Sequence, residues 1–272
     1  LSATVTTPKF SDPVAEAARI FLLVWGDSGC GKTTLAATAP GTKVWIQFDP
    51  QGTTSIAHRK DYKMLDLSGA TANSVMIEFN KPDPYNIRRW LDANPDVQTV
   101  VVDSATTLAF LALQYAVTRA GGSSNIDVPG MNGYGTRNNV MRRVITSIMQ
   151  ACAEKGKHLI VITHEGAPDK DTAGNTTSIT MALSSNLAND VSLRFNEVWW
   201  MKDSGKDHTI YVRPWGVYRP MKSRMFQTGA ANSFVWDFDA DTLAGAGISD
   251  WWADWQANGN RKIALPVKGG KK

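Results

Sequence analysis

Gly26-Asp27-Ser28-Gly29-Cys30-Gly31-Lys32-Thr33 stands between the apolar run of residues 20–25 and the helical stretch of residues 32–39, which Pro40 and Gly41 stop. It matches G-x-x-x-x-G-K-[ST] at every fixed position. A chain of 272 residues meets that pattern by accident roughly once in a hundred times at ordinary residue frequencies. The placement, strand then glycine loop then helix, is the one the motif's chemistry requires. Glycines let the backbone curl so that successive N–H groups point inward, and the following helix start adds positive potential, so the loop suits phosphate oxygens. The competing reading is a structural glycine turn with an incidental lysine.

Outward from this stretch, apolar runs at residues 43–48, 99–102 and 159–163 join residues 20–25 as continuous segments rich in Val and Ile. Such runs are expected of strands buried on both faces. Helical stretches alternate with them: residues 105–118, with Leu108, Leu111 and Tyr115 on one side, and residues 137–154, with Val140, Val144 and Ile148 every four residues. This order predicts an α/β fold, a mainly parallel sheet covered by helices on both faces. Residues 121–135 and 166–180 lack periodicity and are expected to be loops. Beyond Asn186 the pattern reads as strand and turn, residues 191–201 and 209–213 across Ser204-Gly205, giving an antiparallel extension. Near the end Ile248, Trp251, Trp252 and Trp255 share one face of a short helix, with Ser249 as its expected N-cap and Gly259 as its stop. Tryptophans at that spacing are expected to bury, with base stacking as the alternative. Residues 1–19 read as an N-terminal arm, 20–240 as the main domain and 241–272 as a Trp-bearing helix with a basic tail.

Composition narrows the class. Hydrophobic residues at 43% and charged residues at 20% place the chain among globular proteins rather than disordered or fibrous ones. No run approaches a membrane span, and no leader pattern opens the chain, so a cytoplasmic location is expected. Cys30 and Cys152 have no paired spacing and are expected to be free thiols. The net charge of +4 resides in the last twelve residues, where Arg261, Lys262, Lys268, Lys271 and Lys272 face no acid. That tail suits a phosphate backbone or an acidic partner, or is a solvated end.

In the loop, Gly26, Asp27, Ser28, Gly29, Cys30, Gly31, Lys32, Thr33 and Thr34 form the expected triphosphate cradle. Lys32 would hold the β- and γ-phosphates, and Thr33 would offer its hydroxyl to Mg²⁺. The run at residues 99–102 delivers Asp103 to a sheet edge, where a carboxylate suits the same Mg²⁺; the plainer alternative is a cap for the helix at Ala105.

With these motifs in order, the chain resembles the RecA-like P-loop ATPases, and within them the compact phage ATPases associated with single-strand annealing and recombination. The resemblance covers about residues 20–238. It implies ATP and Mg²⁺ as cofactors, single-stranded DNA as partner, and a homo-oligomer, filament or ring; a strand-coating protein is a further candidate partner that the sequence does not decide. It places residues 121–135 and 166–180 at DNA, with Tyr134 as a base platform and Arg137, Arg142 and Arg143 at phosphates. The alternative is a ring packed under its own loop beside a solvated helix face. His164 becomes a γ-phosphate sensor, with a structural histidine as the alternative. The family's water-activating glutamate aligns with Gln51, which orients water but accepts no proton, leaving Asp49 and Glu165 as the available carboxylates. Lys222 and Arg224 stand where such ATPases carry basic fingers that reach a neighbour's γ-phosphate, or they form a basic surface turn. The expectation is an ATP- and Mg²⁺-dependent, single-stranded-DNA-binding ATPase that promotes annealing or recombination. A P-loop kinase of a small acceptor and a nucleotide-switched assembly protein with feeble turnover are the alternatives.

Overall fold

The computed structural model describes residues 19–119, 130–229 and 231–267. The arm at residues 1–18, residues 121–129 of the first loop and the tail from Lys268 lie outside the described residues.

Apolar residues alternate faces along each central strand, and both faces are buried, which is why the runs read as continuous. β1 (Phe21–Gly26) leads into α1 (Lys32–Ala37) and β2 (Thr42–Gln47). Then come β3 (Tyr62–Asp66), α2 (Ala72–Phe79), α3 (Ile87–Ala93), β4 (Val97–Asp103), α4 (Ala105–Arg119), α5 (Gly130–Glu154) and β5 (His158–His164). The remainder is β6 (Asp169–Lys170), β7 (Thr176–Ser178), α6 (Ser185–Arg194), β8 (Glu197–Asp203), β9 (His208–Tyr211), β10 (Phe226–Gln227), β11 (Ser233–Trp236), α7 (Ile248–Ala257) and β12 (Ile263–Ala264). Eight strands form one sheet in the order β11-β9-β8-β1-β5-β4-β2-β3. From β8 to β3 every pairing is parallel, and β9 and β11 add an antiparallel edge. The expected α/β sheet with its antiparallel extension is therefore present.

The sheet is sandwiched. Leu23, Trp25, Val100, Val102, Leu159 and Val161 pack with α2 to α6 on one face. Leu22, Val24, Val101, Ile160 and Ile162 pack with α1 and α7 on the other. Trp251 and Trp252 are buried there, so these tryptophans are core. Ser249 is not the cap of α7: Gly247 is the N-cap, and its N–H donates to the Asp250 carboxylate. The next two N–H groups, of Ile248 and Ser249, donate to the Thr38 hydroxyl and carbonyl at the end of α1. Those helix-start donors thus find partners on another element, a solution local spacing does not announce.

Three further expectations are corrected. Residues 130–135 are not loop, because α5 begins at Gly130. Gly133 is buried within this helix, where tertiary context overrides glycine's poor helix propensity. Residues 166–180 contain the antiparallel hairpin β6/β7, whose turn is held by the Asp171 carboxylate accepting from the N–H groups of Ala173 and Asn175. Residues 191–194 are helical and not strand, since Leu187, Ala188 and Val191 bury one stripe of α6 at helical spacing and β8 starts only at Glu197. Both cysteines are free and buried.

Candidate nucleotide site

The sheet order decides what meets at its carboxyl edge. β5 lies between β1 and β4, with β2 beyond, so the chain leaving β1 at Gly26 faces the ends of β5, β4 and β2 in turn. These ends carry His164, Asp103 and, just past β2, Asp49.

Gly26 is required by contact. Its φ is +154°, and a Cβ there would stand 2.2 Å from the Met201 carbonyl of β8. Gly29 and Gly31 also have positive φ, at +80° and +93°, which curls residues 26–31 around the head of α1. Asp27, Ser28 and Gly29 are exposed, Cys30 is buried, and Thr34 lies in the first turn of α1. The Lys32 side chain is only 5% exposed. Its ammonium donates to the Gly26 carbonyl at 2.9 Å and to the Asp27 carbonyl, with the Cys30 Sγ at 3.6 Å. Burial pushes the Cys30 thiol up, with Lys32 opposing, so the group is a thiol rather than a nucleophilic thiolate.

Thr33 and Asp103 meet. The Thr33 hydroxyl donates to Asp103 Oδ2 at 3.2 Å, and Trp45 Nε1 donates to the same oxygen at 3.3 Å. Asp103 is 4% exposed, and burial together with the nearby Asp49 charge pushes its carboxyl up to about 6, against the pull of Thr33, Trp45 and His164. One hydroxyl and one buried carboxylate, both hard oxygen donors, suit Mg²⁺. Among the described residues no cluster of three His, Cys, Asp or Glu offers an all-protein metal cage.

The two alternative carboxylates separate. Asp49 accepts from the Thr107 hydroxyl of α4, and its Oδ2 lies 3.9 Å from His164 Nε2. Burial raises its affinity for protons, but the facing His164 imidazole and the hydroxyls of Ser104 and Thr107 outweigh this and hold it below the usual carboxylate range. Glu165 turns instead to the other side of β1. Its N–H donates to the Gly26 carbonyl at 3.0 Å, and its carboxylate accepts from Trp200 Nε1 at 2.9 Å. Burial raises its proton affinity, with Asp27 adding to the rise and Trp200, Lys32 and Lys202 opposing it. Gln51 does not join the constellation: its side chain is exposed, its φ is +59°, and its carbonyl takes the N–H and hydroxyl of Thr54.

Several neighbours escaped the sequence reading. Thr106 donates or accepts with Thr163 at 2.9 Å and receives the His164 N–H at 2.9 Å, fixing the end of β5. The adjacent threonines after Asp103 were the available signal. His208 and Trp236 face Gly31 from the antiparallel edge, each within 3.6 Å of where a Cβ would project.

The remaining expected residues lie away from this edge. Lys222 pairs with Val198 near the amino end of β8, and its ammonium donates to the Leu193 carbonyl at 3.3 Å. Burial and Arg224 lower its proton affinity. Arg224 is exposed, and its N–H donates to the buried Glu197. Tyr134 is 45% exposed, with the Arg137 guanidinium 5.0 Å from its ring centre. Arg142 is instead tied to Asp190 at 2.8 Å, and Arg143 points outward on another side of α5. The expected DNA set is therefore split in two.

Among the described residues no helix is long and apolar enough to cross a membrane. No curated protein matches the chain. Residues 18–234, most of the sequence, match a family model described as AAA domain. A glycine loop between β1 and α1, a buried lysine, and a threonine bonded to the carboxylate of a strand two places away are what that family's nucleotide chemistry needs, and the chain belongs to the AAA-domain family of P-loop ATPases.

Proposed function

We propose that the protein hydrolyses ATP with Mg²⁺ at the carboxyl edge of β1, β5, β4 and β2, and that turnover is coupled to single-stranded DNA within a homo-oligomer. The observation that carries the nucleotide reading is the Thr33–Asp103 contact beside the buried Lys32. Thr33 and Asp103 would hold Mg²⁺, which would supply neutralisation of the developing charge. Lys32 would exchange its loop carbonyls for phosphate oxygens, which are stronger acceptors.

Asp49 is the carboxylate that faces this site, so it orients the attacking water. Its lowered proton affinity makes it an anion throughout the neutral range and a weak base, and hydrolysis is slow in consequence. His164, 3.9 Å away, reads the γ-phosphate and steadies Asp49. Tyr134 and Arg137 support the DNA assignment, since an exposed ring beside a guanidinium stacks bases without regard to sequence. The resemblance to phage annealing and recombination ATPases supports annealing or strand exchange as the outcome. Lys222 and Arg224 are the groups available to reach a neighbouring subunit.

Steady-state ATP hydrolysis with and without single-stranded DNA tests the reading. Wild type should be stimulated. Asp49→Asn should lose at least about tenfold in kcat with nucleotide affinity retained, and Tyr134→Ala should lose stimulation alone. Unstimulated wild-type turnover overturns the DNA coupling, and an Asp49→Asn enzyme of normal kcat overturns the role of Asp49.

A further inference from the structure

Away from the nucleotide edge, α5, the connection between α2 and α3, and the end of α6 enclose an open trough of about 630 Å³. Five cations line it, Lys81, Arg88, Arg142, Arg143 and Arg194, and no acidic residue does. Three of the five are already neutralised from the rim: Lys81 by Glu78, Arg88 by Glu154 at 2.8 Å and Arg142 by Asp190. Arg143 and Arg194 are exposed, and among the described residues neither guanidinium group has an ion pair or a hydrogen bond. Two unpaired guanidinium groups thus share a concave surface with the uncharged donors Asn139, Thr146, Ser147 and Gln150.

This surface is separate from Tyr134. Nine residues along α5 carry Arg143 about 14 Å from Tyr134 and turn it by about 180°. The trough lies outside the helical layer on the sheet face opposite α1. We infer that it is a second nucleic-acid site, gripping the sugar-phosphate backbone through Arg143 and Arg194.

The chemistry favours a backbone over other anions. The α5 wall from Asn139 to Gln150 runs for about 16 Å, long enough to pass successive phosphates of one strand. A small phosphorylated ligand would need an enclosed pocket to shed its water, and this trough is open. Its one aromatic lining residue, Phe79, is buried in the core and offers no face to a base. Contacts here are therefore to phosphates, indifferent to sequence and sensitive to salt. The inference needs neither a bound nucleotide nor Tyr134.

Fluorescence anisotropy of a labelled single-stranded oligonucleotide across a salt series tests it, with the duplex, polyglutamate and inorganic phosphate as competitors. The double variant Arg143→Gln with Arg194→Gln should weaken oligonucleotide binding about tenfold and flatten the salt slope by about 1.4, the loss of two phosphate contacts on a single strand. ATP affinity should be unchanged in that variant, so failure of the nucleotide site and failure of the trough are read separately. The Arg143→Lys with Arg194→Lys variant should keep most of the binding, because a phosphate accepts either point charge. Unaltered affinity and slope in the glutamine variant would overturn the inference. So would polyglutamate binding the wild type more tightly than the oligonucleotide, which would make the trough a site for acidic peptides.

Discussion

At the scale of single residues the site turns on one carboxylate kept where it is costly. Asp103 is buried beside Asp49, and its carboxyl is pushed up to about 6. The folded pKa exceeds the unfolded one, so the folded state holds this proton more tightly. The associated stability is present below about pH 4 and is lost as pH rises through about 6. Asp103→Asn should therefore raise Tm at pH 8, by up to about 3 kcal/mol of stability, and leave it nearly unchanged at pH 4. Mg²⁺-nucleotide should stabilise the wild type at pH 8 and not the variant. Thermal melts at the two pH values check both, and an equal shift at both would refute the linkage. Lys32 and Thr33 were legible because a motif fixes their spacing, and Asp103 because it closes an apolar run of strand type. Which of Asp49 and Gln51 turns toward this edge was not, since only two residues separate them. The positive φ at Gln51 turns its side chain to solvent, while Thr107, 58 residues away, captures Asp49.

At the scale of elements, the central strands and α1, α4 and α7 were read with ends shifted by a few residues, because buried Val and Ile runs and four-residue spacing are strong local signals. The start of α5 was not. Glycines at 133 and 135 argue for a loop by propensity, yet both lie in the helix and Gly133 is buried. Gly135 has negative φ and open space around it, with nothing within 4 Å of where a Cβ would project. Gly135→Ala should therefore stabilise the protein by about 0.5–1 kcal/mol, through lower unfolded-chain entropy and better helix propensity. Denaturant titration decides, and a destabilised variant would show that Gly135 is not a helical position. The end of α6 was misread for a related reason: Val191 belongs to a helical stripe with Leu187, while the strand residues Val198 and Trp199 follow so closely that one apolar run covers both. β3, α2 and α3 carried too little periodicity to be singled out.

At the scale of the whole molecule, one sheet separates two kinds of surface. Its carboxyl edge gathers the nucleotide residues from β1, β5, β4 and β2, and the outer side of the α2–α6 layer carries the basic trough. The alternation of strands and helices made the parallel sheet readable. The strand order, which sets β5 between the glycine loop and Asp103, depends on long-range pairing that no local pattern encodes. The docking of α7 onto the end of α1 through Thr38 is of the same kind, and it ties the helix behind the glycine loop to the C-terminal region.

The central claim is that a triphosphate with Mg²⁺ occupies the loop between β1 and α1. Isothermal titration with a non-hydrolysable ATP analogue, on wild type, Lys32→Ala and Thr33→Ala, with and without Mg²⁺, tests it most directly. The account requires Mg²⁺-dependent binding by wild type, a loss of at least about tenfold in affinity for Lys32→Ala, and loss of the Mg²⁺ dependence for Thr33→Ala. Equal affinity for all three proteins, or binding indifferent to Mg²⁺ in wild type, would contradict it.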